Sequence, residues 1–264
     1  MIGYCGQEYS DTFYACASFY IKEELIPYKS MGRLFHALGT DEVVGILVPY
    51  ENGKDGIIFD GLSRMQILNY HVEREIILTN KLQIVSSQNQ IQKVKTLYLT
   101  QNDMNDCYLK VNKLGIGNKK FVDTRVEALQ MANKDVDGAA LVSELIPLSD
   151  LNILTYDVRD LDHNTFRYFL ITKQLKHTGF HNRILLSIIP NENKKGVLYD
   201  ILHEIVMNNV NIINIFINPK TANEELRINL ILEGNLEDAE IINMLSILKV
   251  KLKHLSIDGS FYTK

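Results

Sequence analysis

Apolar runs and polar turns alternate along the chain in a pattern typical of strands and helices. Residues 1–5 and 45–49 are apolar runs of strand length, and each is followed by a polar turn. After the first run, apolar residues recur at helical spacing at Phe13, Ala17 and Tyr20. The N-terminal segment therefore predicts a strand that leads into a helix through a glycine loop. The first turn of such a helix leaves backbone N–H groups free, and these groups commonly bind anions. We therefore expect an α/β lobe at the N-terminal end.

From about residue 70 to residue 152, short strands and helices alternate, in segments such as VEREIILT, VKTLYLT and RVEALQMANK. This alternation predicts a second α/β lobe that is inserted into the first. We expect lobe 1 at about 1–72 and 154–179, and lobe 2 at about 73–153. After a polar linker, residues 180–264 read as strand, helix, strand, strand, helix and strand. That βαββαβ order predicts a separate α+β domain with both helices on one face of an antiparallel sheet.

Composition and charge narrow the class of protein. The 264 residues are 46% hydrophobic and 23% charged, which is ordinary for a soluble globular protein. The net charge of −4 and the lack of a basic stripe argue against nucleic-acid binding. No apolar run approaches the roughly 20 residues of a membrane span, so no membrane association is expected. The three scattered cysteines suit a reducing cytoplasm, and the sequence predicts neither a metal site nor a cofactor.

The segment at 162–171, DHNTFRYFLI, places several polar residues directly before an apolar run that reads as a strand. Taken alone, it is typical of a turn at Asn164 and Thr165 followed by a solvated Arg167. The segment also resembles, without a gap, the Asn-x-Thr-Arg-Phe signature of prephenate dehydratases. In that alignment, Phe166 stands at the position of the family's catalytic threonine.

The N-terminal glycine loop resembles a second motif of the same family. Residues 6–12 align with Gly-Pro-x-Gly-Thr-Phe-Ser, so Asp11 falls on the motif's aromatic position. Ser10 keeps the hydroxyl of the threonine that binds substrate in the family. The other reading is that Ser10 or Asp11 simply caps the helix.

Two further motifs contribute candidate substrate-binding residues. VPYENGKDGIIFDGL resembles Pro-Ile-Glu-Asn-Ser-x-x-Gly, in which Glu51 and Asn52 match and Gly53 replaces the serine. A plain hairpin turn is the alternative reading of this segment. Where the family has a Ser-Thr pair, Thr124 keeps one hydroxyl and Arg125 replaces the other. Arg125 could grip a carboxylate through two parallel hydrogen bonds, or could be a solvated residue in the first turn of the next helix.

The C-terminal unit resembles the ACT regulatory domain of phenylalanine-regulated dehydratases. Gly196, Val197 and Leu198 stand at the family's Gly-Ala-Leu, and the effector motif Asn-Leu-Thr-x-Ile-Glu-Ser-Arg-Pro aligns from Asn211 onward. The Glu, Ser and Arg of that motif are lost, and Asn218 stands at the Arg position. A buried amino-acid zwitterion needs charged partners, so we expect a weakened effector site.

The resemblance implies a periplasmic-binding-protein-like catalytic domain with two lobes, followed by an ACT domain. It also implies a lyase that converts prephenate to phenylpyruvate, with loss of carbon dioxide and water, in L-phenylalanine biosynthesis. The implied substrate is prephenate or a similar dicarboxylate, and the implied assembly is a homodimer or homotetramer. Asn164 and Arg167 are the implied catalytic residues, with Phe166 in place of the threonine.

Phe166 cannot donate a proton to the departing ring hydroxyl, and Thr165 should point to the opposite face of the strand. We therefore expect weakened dehydratase activity. One alternative is a decarboxylase that retains the ring hydroxyl. Another is a protein without catalytic activity that senses a metabolite through its cleft or its ACT domain.

Overall fold

Two β-sheets with helices on their faces organise the chain. The computed structural model describes residues 1–54, 56–148, 150–161, 165–175, 181–218 and 225–263. The strands are β1 (Ile2–Cys5), β2 (Leu25–Tyr28), β3 (Gly45–Asn52), β4 (Gly56–Ile57), β5 (His71–Thr79), β6 (Leu82–Ser86), β7 (Thr96–Leu99), β8 (Asn118–Phe121), β9 (Gly138–Ser143), β10 (Asn152–Thr155), β11 (Thr165–Thr172), β12 (Arg183–Pro190), β13 (Ile212–Ile217), β14 (Ile228–Glu233) and β15 (Leu252–Tyr262). The α-helices are α1 (Asp11–Ala17), α2 (Met31–Gly39), α3 (Phe59–Leu68), α4 (Gln101–Lys113), α5 (Arg125–Lys134), α6 (Val197–Met207) and α7 (Ala239–Lys251).

The larger sheet runs through both the N-terminal lobe and the C-terminal unit. Its strand order is β13-β14-β12-β15-β5-β11-β3-β1-β2, and β4 pairs with β3. Strand β1 is parallel to both β2 and β3, whereas β11 lies antiparallel between β3 and β5. The second sheet has the order β10-β6-β9-β7-β8 and forms the core of the second lobe. The mixed α/β architecture with two lobes agrees with the expectation from the sequence.

The lobe boundaries differ from those expected at 73 and 153. Strand β5 pairs with β11 along its whole length, so residues 71–79 belong to the first sheet. Strand β10 pairs with β6, so residues 152–155 belong to the second sheet. The reason is packing, because Ile76 and Leu78 of β5 lie in the apolar cluster beneath α1. The chain therefore crosses into the second lobe at residues 80–81.

Apolar clusters cover both faces of each sheet. In lobe 1, helices α2 and α3 bury residues such as Leu38 and Leu62 on one face of the larger sheet. Helix α1 buries Phe13 and Cys16 on the other face. In lobe 2, α4 and α5 pack on opposite faces of the smaller sheet. Each fully buried large apolar side chain stabilises the fold by about 1.5–3 kcal/mol, so both lobes are firmly packed.

The described C-terminal residues follow the order β12-α6-β13-β14-α7-β15. Helices α6 and α7 cover one face of these strands, and the other face packs against lobe 1. Gly259 of β15 lies opposite Val72 of β5, and a Cβ atom at Gly259 would lie 2.6 Å from the Cβ of Val72. Glycine therefore allows the approach that joins the two parts of the sheet. The expected boundary at 179/180 falls on residues 176–180, which lie outside the described residues.

Among the described residues, no helix has both the length and the apolarity needed to cross a membrane.

Candidate active site between the two lobes

A cavity of about 250 Å³ lies between the lobes. One wall is the loop that precedes α1, and the opposite wall is formed by the first turns of α4 and α5. The lining residues are Gln7, Glu8, Tyr9, Ser10, Asp11, Thr100, Asn102, Asp103, Asp123, Thr124 and Arg125. The cavity therefore contains three of the predicted substrate-binding residues, Ser10, Thr124 and Arg125.

Three helices begin at this cavity, each with a hydroxyl residue at its N-cap. Ser10, Thr100 and Thr124 cap α1, α4 and α5, and each side-chain oxygen accepts the backbone N–H three residues later, at 3.2, 3.1 and 3.0 Å respectively. The capping interpretation of Ser10 is therefore correct as local structure. The positive ends of three helix dipoles point towards the cavity, which favours a bound anion.

Arg125 occupies the first turn of α5 and is enclosed by two carboxylates. Its Nη1 and Nη2 atoms donate to the two carboxylate oxygens of Asp11, in lobe 1, at 2.8 and 3.2 Å. Its Nε and Nη2 atoms donate to Asp103, in lobe 2, with a shortest distance of 2.6 Å. The Arg125 side chain is only 10% exposed. It faces the cavity, but it is neither solvated nor open to a further carboxylate.

The groups around Arg125 keep this cluster ionised. Burial is the largest single influence and raises the pKa of Asp11, but the charge and hydrogen bonds of Arg125, the charge of Arg159 and the Asn80 hydrogen bond together lower it by more, so the pKa lies below its usual value. Burial lowers the pKa of Arg125, yet Asp103 and Asp11 raise it well above its usual value. The Asn80 amide also donates to Asp11, and the Thr100 hydroxyl donates to Asp103 at 2.9 Å. The buried Arg159 also acts on Asp11, so two cationic side chains lie near the carboxylates of this cluster.

Phe166 lies on the face of β11 that carries α1. Its ring packs against the cluster that contains Phe13, and the guanidinium of the buried Arg159 lies 5.6 Å from the ring centroid. Thr165 and Phe166 pair with consecutive residues of β5 without a register shift. Strand alternation therefore directs Thr165 to the opposite face, and Phe166 contributes an apolar ring without a hydrogen-bond donor.

Arg167 and Glu51 lie away from the interlobe cavity, in contrast to the expectation from the sequence. Because Arg167 follows Phe166 in an extended strand, its side chain lies on the other face of the sheet. Its Nη1 donates to the buried Glu75 at 3.0 Å, and its Nε lies 3.7 Å from Glu51. These residues line a separate cavity of about 330 Å³ between lobe 1 and the C-terminal unit. Asn164, the other predicted catalytic residue, lies outside the described residues.

Asn52 and Gly53 form the hairpin between β3 and β4. The Asn52 side chain accepts the backbone N–H of Lys54 at 3.0 Å, and the Gly53 N–H donates to the carbonyl of Thr165 at 2.9 Å. The hairpin interpretation of this segment is therefore correct as local structure. Lys54 then reaches α4 in lobe 2 and forms an ion pair with Asp106 at 3.2 Å. The hairpin thus provides a second polar contact between the lobes.

The predicted effector residues are divided among different environments. Gly196, at a φ of 88°, precedes α6, and Val197 lines a cavity of about 440 Å³ within the C-terminal unit. Leu198 packs in the core of that unit. Asn211 donates to the Glu233 carboxylate at 2.8 Å. Within one described chain, these residues do not converge on a single site.

Asn218, at the motif's Arg position, belongs to a polar network where the C-terminal unit meets α3. Gln66 of α3 donates to Ser187, Asn229 and Asp258 at 2.6, 2.6 and 2.9 Å. Asn218 contacts the same group, because it accepts from Asn229 at 2.8 Å. It therefore contributes to the contact between the two units.

Sequence reasoning missed several residues that shape these sites. Asp103 stands three positions after Thr100, at the start of a helix, where an acidic residue is common. Its position therefore gives no indication that it pairs with Arg125. Tyr9 adopts a φ of 65° and packs against the cores of both lobes, a role that no local pattern indicates. Glu75 and Arg159 are buried charges. The partners of Glu75, Tyr50 and Arg167, come from distant segments of the chain.

The fold and the cavity define a mixed α/β protein with two lobes and a ligand-sized cleft between them. Residues 2–176 match the family model described as prephenate dehydratase. This chain belongs to the prephenate dehydratase family.

Three known proteins illustrate the similarity. The bifunctional chorismate mutase/prephenate dehydratase of Aquifex aeolicus is 24% identical over 266 residues, which cover 98% of this chain and 73% of that protein. The prephenate dehydratase structure from Staphylococcus aureus has a TM-score of 0.86 at 19% identity and covers 99% of both chains. The Arthrobacter aurescens prephenate dehydratase, solved in complex with L-Phe, has a TM-score of 0.79 at 16% identity and covers 99% of this chain and 90% of its own. At these identities, the two structures establish a shared fold alone.

Proposed function

We propose that this protein binds prephenate, or a similar small carboxylate, in the interlobe cleft and dehydrates it slowly. The observation that carries the proposal is a cavity between the lobes at which α4 and α5 begin and which Ser10, Thr100 and Thr124 line with their hydroxyls. Free N–H groups and the positive ends of helix dipoles are suited to an anionic ligand. Membership of the family gives the class of that ligand.

The reaction requires a proton for the departing ring hydroxyl, while loss of carbon dioxide makes the ring aromatic. Ser10 and Thr124 use their oxygens as helix caps, and each hydroxyl keeps its proton for donation to a ligand. Phe166 has no proton to give. Loss of one preorganised donor typically lowers a rate by about 10²–10³, which is the basis for the slow reaction.

Arg167 is assigned a positioning role rather than contact with the substrate. Its ion pairs with Glu75 and Glu51 hold β11 against its neighbouring strands, directly behind Phe166. Asn52 holds the adjacent hairpin, which supports a role in shaping the same end of the cleft. Asn164 is proposed to contact the ligand on the strength of the motif alone.

Residues 180–264 are proposed to be an ACT-type regulatory domain that follows a dehydratase domain at 1–179. The βαββαβ order of the described residues supports this assignment. The relative solved with L-Phe makes an amino acid the natural effector class, while the loss of the charged effector residues predicts weak binding. A symmetric homodimer or homotetramer in the cytoplasm is proposed on the same basis.

A second candidate function is decarboxylation of prephenate with retention of the ring hydroxyl. The observation that favours it is again Phe166, whose side chain cannot donate a proton to the departing hydroxyl. With the hydroxyl retained, carbon dioxide leaves and the electron pair of the broken bond is taken up by a proton from solvent on the substrate ring, which gives a dihydro product. A third, from a different class, is a metabolite-binding protein without catalysis.

Product identification after incubation with prephenate separates these functions. Phenylpyruvate, measured by its ultraviolet absorbance in alkali, indicates dehydration, and a dihydro ring detected by NMR indicates decarboxylation alone. We expect phenylpyruvate to form at a rate well below that of an ordinary enzyme. The absence of both turnover and a rise in melting temperature with prephenate would contradict the proposal. A buffer control is needed because prephenate also decomposes without a catalyst.

A further inference from the structure

The contact between Asp11 and Arg125 joins two positions at which this chain departs from the motifs it resembles. Asp11 falls on an aromatic position and Arg125 on a hydroxyl position. Asp11 lies in the first turn of α1 in lobe 1, and Arg125 lies in the first turn of α5 in lobe 2. Their two hydrogen bonds, at 2.8 and 3.2 Å, cross the cleft. The new charges therefore form one pair inside the cavity.

The geometry of this pair is that of a bound carboxylate ligand. A guanidinium has two edges that can hold a carboxylate through two parallel N–H donors. Asp103 takes the edge formed by Nε and Nη2, and Asp11 takes the edge formed by Nη1 and Nη2. Because both edges are occupied, a carboxylate from a ligand can bind Arg125 in this way only by displacing one of them.

Position and exposure indicate which carboxylate is the additional one. Asp103 shares its lobe with Arg125, is only 2% exposed and is sufficient to neutralise the guanidinium. Asp11 comes from the other lobe and, at 19% exposed, is the more accessible of the two carboxylates. The N-termini of α4 and α5 at the cavity favour an anion at the same place. The carboxylate of Asp11 thus occupies the edge of Arg125 that the carboxylate of a ligand could otherwise occupy.

We propose that Asp11 acts as a resident carboxylate on Arg125 and makes the cleft selective for ligands with one carboxylate over ligands with two. The inference rests on the proposed function, because it concerns the ligand class of the same cleft. Prephenate carries two carboxylates, so Asp11 places it at a disadvantage that a matched monocarboxylate does not suffer. Asp11 is therefore a residue that determines specificity.

Two inert ligands that differ by one carboxylate test this selectivity. Benzylmalonate and 3-phenylpropionate are titrated calorimetrically into the full chain and into its Asp11→Asn variant. In the variant, we expect the affinity ratio to shift towards benzylmalonate by at least about tenfold, because a bidentate, charge-assisted site on Arg125 becomes available. Asp11→Ser provides the same comparison with a smaller neutral side chain, and a melting curve verifies that each variant is folded.

Asp123→Asn is the matched control. Asp123 lines the same cavity and is exposed, so its removal deletes one negative charge without vacating an edge of Arg125. Exposed charges are screened by salt, and we expect the ratio to change by less than about threefold. An unchanged ratio in the Asp11 variants, or an equal shift in Asp123→Asn, overturns the inference.

The wild-type protein provides a test that needs no variant. A wild-type preference of about tenfold for benzylmalonate over 3-phenylpropionate also overturns the inference, as does binding of neither ligand to any form. Prephenate turnover is measured separately and decides the proposed function. The two failures can therefore be distinguished.

Discussion

Phe166 makes a stabilising contact, but it lacks the hydroxyl of the threonine that the family motif has at this position. Its ring packs beside α1 and lies 5.6 Å from the centre of the Arg159 guanidinium, an arrangement that typically contributes about 0.5–2 kcal/mol. At this one position, packing and catalysis have opposite requirements, so an exchange should improve one at the expense of the other.

Phe166→Thr should raise the rate of phenylpyruvate formation from prephenate by about 10²-fold, because it restores one preorganised proton donor. The rate is followed by the absorbance of phenylpyruvate in alkali. Phe166→Leu is the matched control, since it removes the ring without adding a hydroxyl. An equal rise in both variants would show that the space matters rather than the donor.

At the scale of elements, the N-termini of α1, α4 and α5 form a charged junction between the lobes. A cation at a helix N-terminus is normally unfavourable, since it faces the positive end of the dipole. Arg125 occupies this place because Asp11 and Asp103 surround it. The two carboxylates therefore compensate the charge of Arg125 at this junction, and the guanidinium in turn is their buried partner.

Arg125→Ala should lower the free energy of unfolding by about 3–5 kcal/mol, because two carboxylates lose their buried partner. Urea unfolding monitored by circular dichroism provides the measurement. Lys95→Ala removes an exposed partner of Asp137 in the same lobe and should leave the midpoint almost unchanged. Equal effects of the two substitutions would contradict the importance of the junction.

At the scale of the whole molecule, the carboxylate junction makes the protein's stability depend on pH. Burial raises the pKa of Asp11, but Arg125, Arg159 and the Asn80 hydrogen bond together lower it by more, so the folded-state pKa is below the unfolded value of about 3.9. A depressed pKa contributes stability that is present above the unfolded value and is lost as the pH falls through the folded one.

The free energy of unfolding should therefore fall between about pH 5 and pH 3, and it should fall less steeply in Asp11→Asn. Urea unfolding at a series of pH values measures both slopes. Parallel slopes for the two proteins would show that other carboxylates account for the acid sensitivity.

The C-terminal unit is joined to lobe 1 by a polar network as well as by the sheet. Gln66→Ala should cost about 1–3 kcal/mol of stability, because Ser187, Asn229 and Asp258 lose a shared donor in a buried place. We also expect faster amide hydrogen exchange in β12 and β14, measured by mass spectrometry. Arg64→Ala, on the same helix but in an exposed ion pair with Asp60, is the control and should have little effect.

The sequence predicts much of the fold, since apolar periodicity determines the strands and helices and the motifs fix their order. Side-chain placement is harder, because it depends on partners that are far apart in the chain. Arg125 pairs with residues 114 and 22 positions away, so no local window could identify them. The motif predicts that Arg167 lies in the cleft, whereas the alternation along β11 places it on the other face of the sheet. The junction between β5 and β15 also depends on tertiary packing rather than on local pattern.

The pairing of β15 with β5 has a consequence during synthesis on the ribosome. Strand β5 emerges early, while both of its neighbours, β11 and β15, are translated much later. Until then, the nascent chain presents an open strand edge with buried-type residues such as Ile76 and Leu78, and such edges are sites of aggregation. The first lobe therefore completes its sheet only after the C-terminal strand is translated, so a nascent chain arrested before β15 should require a chaperone to remain unaggregated.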